Sequence, residues 1–349
     1  MTTSLLNQLP AIYAHLLPPV FSAPIPQESY ANCRSCHMCE PSPVPSTHIP
    51  FSVASKCCTF PPIIPNYLVG AYLADDPSRT LDDVSMPGRH VTPLGAFPNA
   101  ESLIQYTRIL PDGFGRDSST ICPFYQNGDC GVWGYRNAIC STYQCKHVKG
   151  IRGKRFWEAV RDFLQCIEGL LADYCAHDLG ISPTYLTHAS VDFFVTSQLA
   201  VAHGTMAPPT DDDWGDWAPK KADFYRACAQ RVRTLSAEAL AGFGPHRYAI
   251  THANLMDAYT DMTTPTLPLY LKKNPRVTHI PFDDTASFFQ IDYLLKMPAV
   301  VWPLLDYFDG ATPVDRALSR ANADLGICVE TDYIQHLFEQ QLLVPLLNG

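Results

Sequence analysis

At 349 residues with 46% hydrophobic and 11% aromatic content, the chain can fill two or three modest cores, which argues for a folded globular protein and against disorder. Lys and Arg number 25 against 34 Asp and Glu, a formal net charge of -9, so no global electrostatic footprint for nucleic acid is present. Residues 1–10 lack a basic start, and no apolar run in the chain is long enough to span a bilayer, so neither an export signal nor a membrane partner is expected.

In chain order, more than half of the 31 prolines fall before residue 124. Proline fixes φ and removes a donor, so this stretch should be loops and short helices, held by something other than a large core. A helix is expected over residues 5–17, stopped by Pro18 and Pro19, and another over 67–73. From Lys154 to Tyr174 apolar residues recur at helical spacing, and Gly180 follows as a stop. Further helices are predicted over 191–201 and 222–240. Between them the acidic segment 208–217 reads as a solvated turn, since it lacks the ligand ladder of a calcium loop. Past Pro265, strands are predicted over 269–271 and 276–280, then helices over 299–308, 314–325 and 331–341. The expected fold is α+β and mainly helical: a loop-rich cysteine and metal region (1–150), a helical middle (151–262) and a small winged-helix-like C-terminal domain (263–349).

Thirteen cysteines without an export signal point to a reducing compartment, the cytoplasm, where clustered thiols ligate metal more often than they form disulfides. Nine sit in two knots. The first is Cys33, Cys36 and Cys39 followed by the pair Cys57 and Cys58; the second is Cys122, Cys130, Cys140 and Cys145. Two residues between cysteines form a turn that aims both sulfurs at one ion or cluster. The first three stand in polar sequence, where no apolar face needs them. Cys166, Cys175, Cys228 and Cys328 lie in helical or apolar stretches and read as packing residues. Thiolate ligation suits an iron-sulfur cluster, of the four-iron, four-sulfide kind, or alternatively zinc. The knots lack the paired short knuckles of common zinc sites and the cysteine run of radical S-adenosylmethionine enzymes.

The order Cys122-Pro-Phe-Tyr125, Cys130-Gly-Val-Trp133, Arg136 and Cys140-Ser-Thr-Tyr143, with the upstream cysteines, resembles the zinc- or iron-chelating CxxCxxCC family, a grouping related to flagellin lysine N-methylases. The likeness covers about residues 31–150. Here residues 40–56 separate the cysteine run from its double cysteine, and Asn137 stands where proline usually follows the arginine. The resemblance implies a bound metal, and a peptide- or protein-modifying enzyme using S-adenosylmethionine as the alternative to a plain metal-binding protein, a carrier or a sensor. Residues 302–318 weakly resemble PqqD-like domains, which implies a peptide or protein substrate read by strand addition.

Arg136 could hydrogen-bond a cluster sulfur or hold a carboxylate in a fork, and His147 could ligate or support a bound sulfur; both are candidate cofactor-binding residues. His37 and His147 also read as surface histidines. The basic run from Lys146 to Arg155 reads as a solvated helix entrance.

Overall fold

The computed structural model describes residues 3–25, 36–39, 50–144, 147, 149–186, 209–263, 266–282, 285–290 and 293–345. The predicted helix over 191–201, Cys33 and Cys145 lie outside them, as does the side chain of His37. The fold mixes helices with small antiparallel sheets and is mainly helical, as the sequence predicts. Among the described residues no helix is long and apolar enough to cross a membrane.

The chain divides into two compact units, Met1–Cys145 with Trp157–Leu255, and Lys146–Phe156 with Met256–Gly349. In the first, the expected helix over 5–17 is instead a series of 3-10 turns, Leu5–Gln8, Ala11–Leu16 and Pro19–Ser22. Pro10 and the Pro18-Pro19 pair cut the segment into short runs, which close as 3-10 turns. The turns still bury Leu5, Tyr13, Leu16 and Phe21. Strand β1 (Thr3–Ser4) pairs with β2 (Pro24–Ile25), closing this segment.

Helix α1 (Asn66–Asp75) follows β3 (Ile64–Pro65) and is buried on nearly every side, so it is the centre of the unit. Asn66 anchors its start: the side-chain amide donates to the Pro93 and Ala172 carbonyls, both at 2.9 Å. Strands β4 (Arg89–Thr92) and β5 (Gly95–Pro98) complete a sheet of order β3-β5-β4. Helix α2 (Ala100–Gly113) starts at Asn99, whose side chain accepts from the Ser102 amide at 2.9 Å. After α3 (Ala138–Thr142), α4 (Gly150–Asp178) is the predicted amphipathic helix, longer than expected by a turn at each end and stopped at Gly180, φ 82°.

The predicted helix over 222–240 is two, α5 (Lys221–Thr234) and α6 (Ala237–Phe243), because Ser236 caps a new start by accepting from the Ala239 amide. The acidic segment before them is not a plain turn. Thr210 and Asp213 form a capping box over Asp211–Trp214, and Trp214 is buried. Helix α7 (Pro245–Thr263), not singled out in the sequence, follows. Cys166, Cys175 and Cys228 are buried packing residues, as expected; Cys328 is exposed and is not one.

The second unit contains β8 (Tyr270–Lys273), β9 (Thr278–Phe282), β10 (Thr285–Gln290), β11 (Tyr293–Pro298), α8 (Val301–Leu305), β12 (Asp309–Pro313), α9 (Val314–Leu325), α10 (Thr331–Glu339) and β13 (Leu343–Pro345). Two antiparallel sheets form, β11-β10-β9 and β12-β8-β13. Leu271, Leu304, Phe308, Ile334 and Leu337 are among its core residues. Within the basic run at the start of α4, Arg155 is exposed, as expected of a solvated entrance, whereas Arg152 and Lys149 are paired. Arg152 is buried, pairs with Asp261 and stacks on Phe338 with 4.4 Å to the ring centre, while Lys149 pairs with Glu339 at 3.3 Å.

Helix α1 packs against α5 at Gly70, where an added Cβ would collide with the Tyr225 carbonyl. Gly70→Ala should therefore destabilise the first unit by about 1–3 kcal/mol in chemical denaturation, the usual cost of overpacking. Glu168, on α4, is buried beneath α3 and accepts from the Ala138 amide; burial pushes its carboxyl up to about 8. An acid whose folded pKa is raised costs nothing below its unfolded pKa, and its cost grows as pH rises towards the folded value. Glu168→Gln should thus gain stability relative to the natural protein between about pH 4.5 and 8, reaching on the order of a few kcal/mol, read from denaturation midpoints across that range.

Candidate metal centre

The two cysteine knots meet in space. The Cys122 amide donates to the Cys58 carbonyl at 2.7 Å, joining the loop that carries the first pair to the start of the second knot. Around this tie, the Gly115 amide donates to Thr59 Oγ1 at 2.9 Å, the Ser52 amide to the Gly115 carbonyl at 2.7 Å and the Phe51 amide to the Met38 carbonyl at 2.7 Å. These bonds draw the Cys36–Cys39 turn, the Cys57–Cys58 loop and residues 113–122 onto one another. Gly115 has φ 73° and lies against the Phe51 ring, a position where a side chain would be both strained and in collision.

Cys130 is placed by a hairpin, β6 (Tyr125–Gln126) and β7 (Asp129–Cys130), turned at Asn127-Gly128. Both turn residues have positive φ, 53° and 86°, as a two-residue type I′ hairpin requires. Cys140 sits in the first turn of α3, whose start is capped by Asn137 accepting from the Cys140 amide at 2.9 Å. Asparagine, standing where the resembled family has proline, therefore serves here as a helix cap.

Six thiols, Cys36, Cys57, Cys58, Cys122, Cys130 and Cys140, line one cavity of about 440 Å³. Cys39, the seventh described member of the knots, lies beside Cys36. None of the described cysteines is in a disulfide. No three His, Cys, Asp or Glu groups among the described residues converge closely enough to hold a single ion. The sulfurs surround a space and do not meet at a point.

Backbone amides serve several of these sulfurs. The Phe124 and Tyr125 amides bond Cys122, and the Val132 amide bonds Cys130, in both cases favouring the thiolate. Against this, burial pushes Cys122 up to about 11 and Cys140 well above the ordinary thiol range. The hydrogen bond from Cys58 brings Cys57 down to about 7, helped by Arg136 and Lys56. Lys56 itself has φ 51° and donates to the Gly128 carbonyl at 3.4 Å.

Arg136 lines the cavity, but its donors go to backbone. Nε bonds the Trp133 carbonyl at 3.0 Å, Nη1 the Cys140 carbonyl at 3.3 Å and Nη2 the Gln8 carbonyl at 3.2 Å, with the guanidinium 3.5 Å from the Trp133 ring centre. It positions the cysteine-bearing segments and adds positive charge near the thiols. His147 belongs to the second unit; burial, then Lys154, lowers its pKa to about 4, so it is neutral.

Arg89, at the start of β4, escapes sequence reading because it stands outside both knots. It is only 8% exposed, donates Nη2 to the Ala96 carbonyl at 2.8 Å and stacks on Phe124 at 4.8 Å, and its Nε and Nη1 have no hydrogen-bond partner among the described residues. Its electrostatic partners are Cys122 and Cys140. Only the register Arg89 opposite Pro98 in the buried sheet puts it there. Tyr106, also unremarked in the sequence, lines the cavity with its neighbour one turn on, Leu110. Burial, and then Cys140, raises its phenol to about 12.

Arg136→Lys should cost about 1–3 kcal/mol in urea unfolding, because an ammonium cannot serve three divergent carbonyls and cover the Trp133 face. Comparison with known proteins adds no relative: no family model matches the chain, and neither a curated protein nor a solved structure matches it significantly.

Proposed function

We propose that the cavity holds an iron-sulfur centre and that the protein is a metal-binding protein built around it. The observation that carries this reading is Arg89. A guanidinium stays charged in proteins, and burying one without an anion costs several kcal/mol. Among the described residues no carboxylate pairs with it, and the groups it faces are Cys122 and Cys140. The charge is offset if those thiols are anions, and thiolates are what a metal takes as ligands.

The spread of sulfurs favours a cluster over zinc. A single tetrahedral zinc lies about 2.3 Å from each sulfur and so draws its ligands to within roughly 4 Å of one another. A cluster interposes its own iron and sulfide atoms, so its thiolates stand further apart around a volume. Six thiols around about 440 Å³ suit the second arrangement. The residues would divide the work: Cys57, Cys58, Cys122, Cys130 and Cys140, with Cys36, supply candidate ligands, backbone amides stabilise sulfur charge, and Arg89, Arg136 and Lys56 compensate it. When bound, such a centre supplies one-electron transfer or an electrophilic iron site.

Protein purified without oxygen should contain iron and acid-labile sulfide in comparable amounts. Both should fall in Cys57→Ser and Cys140→Ser and persist in Cys166→Ala, whose thiol packs elsewhere. Zinc without sulfide, or no metal at all, would overturn the reading. Arg89→Met adds a test of sign. If the thiols are anionic, iron content and stability drop together; if they are neutral, removing a buried unpaired cation raises the denaturation midpoint.

A further inference from the structure

We infer that the aromatic part of this cavity's lining forms a binding chamber for an uncharged aromatic carbonyl compound, which accepts a hydrogen bond from the Tyr106 hydroxyl. The inference rests on the metal centre only for its neighbour; the chamber is defined by its own residues.

Two kinds of surface line the cavity. Besides the thiols there is a run of rings, Phe60, Tyr106, Phe114, Trp133 and Tyr143. They are braced against one another: Phe60 meets Tyr106 edge-on at 5.7 Å, and Phe114 meets Tyr143 edge-on at 5.5 Å. Rings packed this way do not fold inward to fill the space, so the surface is preset for a planar apolar body. Trp133 and Tyr143 are 51% and 39% exposed while also lining the cavity, which places them where it meets solvent. The whole cavity, about 440 Å³, falls in the range of small-molecule sites.

The charge on the lining sets the charge of the ligand. Among the described residues no Asp or Glu lines the cavity, so an organic cation would lose its water without one of these carboxylates to replace it. The lining cations are Lys56 and Arg136; both act on Cys57, and Arg136 is committed to three carbonyls. An organic anion would have to compete with the thiols for them. A neutral ligand meets neither cost.

Tyr106 then supplies direction. Its residue is nearly buried, and among the described residues its hydroxyl has no hydrogen-bond partner, although its ring is packed. The hydroxyl is not sealed in the core and stays open as a donor on the cavity lining, where a carbonyl oxygen on the ligand can accept from it. Tyr106 and Leu110 are successive residues on the same face of α2, so the donor and an apolar contact come from one rigid element.

The test uses acetophenone, benzoate and benzylammonium as probes of the full-length protein, with iron and sulfide measured on the same sample and binding read by ligand-observed NMR and calorimetry. Acetophenone should bind more tightly than either charged probe. Tyr106→Phe should weaken it about five- to tenfold by loss of one hydrogen bond, and Leu110→Trp should abolish binding by filling the chamber. Tyr106→Phe keeps the ring and so separates lost recognition from lost folding if Leu110→Trp fails to fold. Iron-loaded protein that binds none of the probes, binds all three alike, or is indifferent to Tyr106→Phe would overturn the chamber. Metal-free protein that binds acetophenone with the same Tyr106 dependence would support the chamber while removing the iron reading.

Discussion

The hydrogen bond from the Cys122 amide to the Cys58 carbonyl is the constraint on which the candidate site depends. Without it the cysteine pair and the second knot belong to loops with no regular structure in common. Neither loop has the length of helix or strand needed to hold a thiol in place by itself: the hairpin strands are two residues each and α3 is five residues. Their positions come from tertiary bonds, chiefly this one and those through Gly115, Arg136 and Asn137. Such a region gains order from long-range contacts, and a ligand shared between the loops would stabilise the same arrangement by mass action.

Charge is the second organising term. Six thiols and the cations Arg89, Arg136 and Lys56 surround or flank a space whose lining, among the described residues, contains no carboxylate. In a wet surface site this imbalance would cost little. Here Arg89 is 8% exposed, and among the described residues the groups that act on its charge are the Cys122 and Cys140 sulfurs. The two forces on the thiols run against each other: burial holds Cys122 and Cys140 neutral, whereas amide donors and the guanidinium favour the anion. Bound iron would tip that balance towards thiolate, which is the coupling between metal and protonation expected of such ligands.

Behind the site the first unit provides an ordinary core. Helices α1, α4 and α5 enclose large aromatic and aliphatic side chains, and the N-terminal 3-10 turns close over them. The core reaches the site at two places. Gln8, in the first of those turns, accepts from Arg136, and Glu168 of α4 accepts from the amide at the start of α3. A buried carboxyl that is largely neutral at pH 7 can cap that short helix without placing a full negative charge next to the thiols.

Much of this was legible in the sequence, and what was missed follows a pattern. Periodicity identified α4, and α9 matched its predicted residues 314–325, because amphipathic spacing is a local property of the chain. Asn127-Gly128 would have announced the Cys130 hairpin to a reader attending to turn chemistry. The same composition misled where local rules were overridden: prolines broke the first helix into 3-10 turns, and Arg152, within the basic run, is paired and buried instead of solvated. By itself the sequence determined where the cysteines cluster, since residue type and spacing are written in the chain. Only the tertiary structure decided that the two knots share one cavity, that Arg136 braces backbone, and that Arg89 and Tyr106 belong to the site. Those facts depend on strand register, on which face of α2 is turned inward and on hydrogen bonds between distant loops, none of which has a local signature.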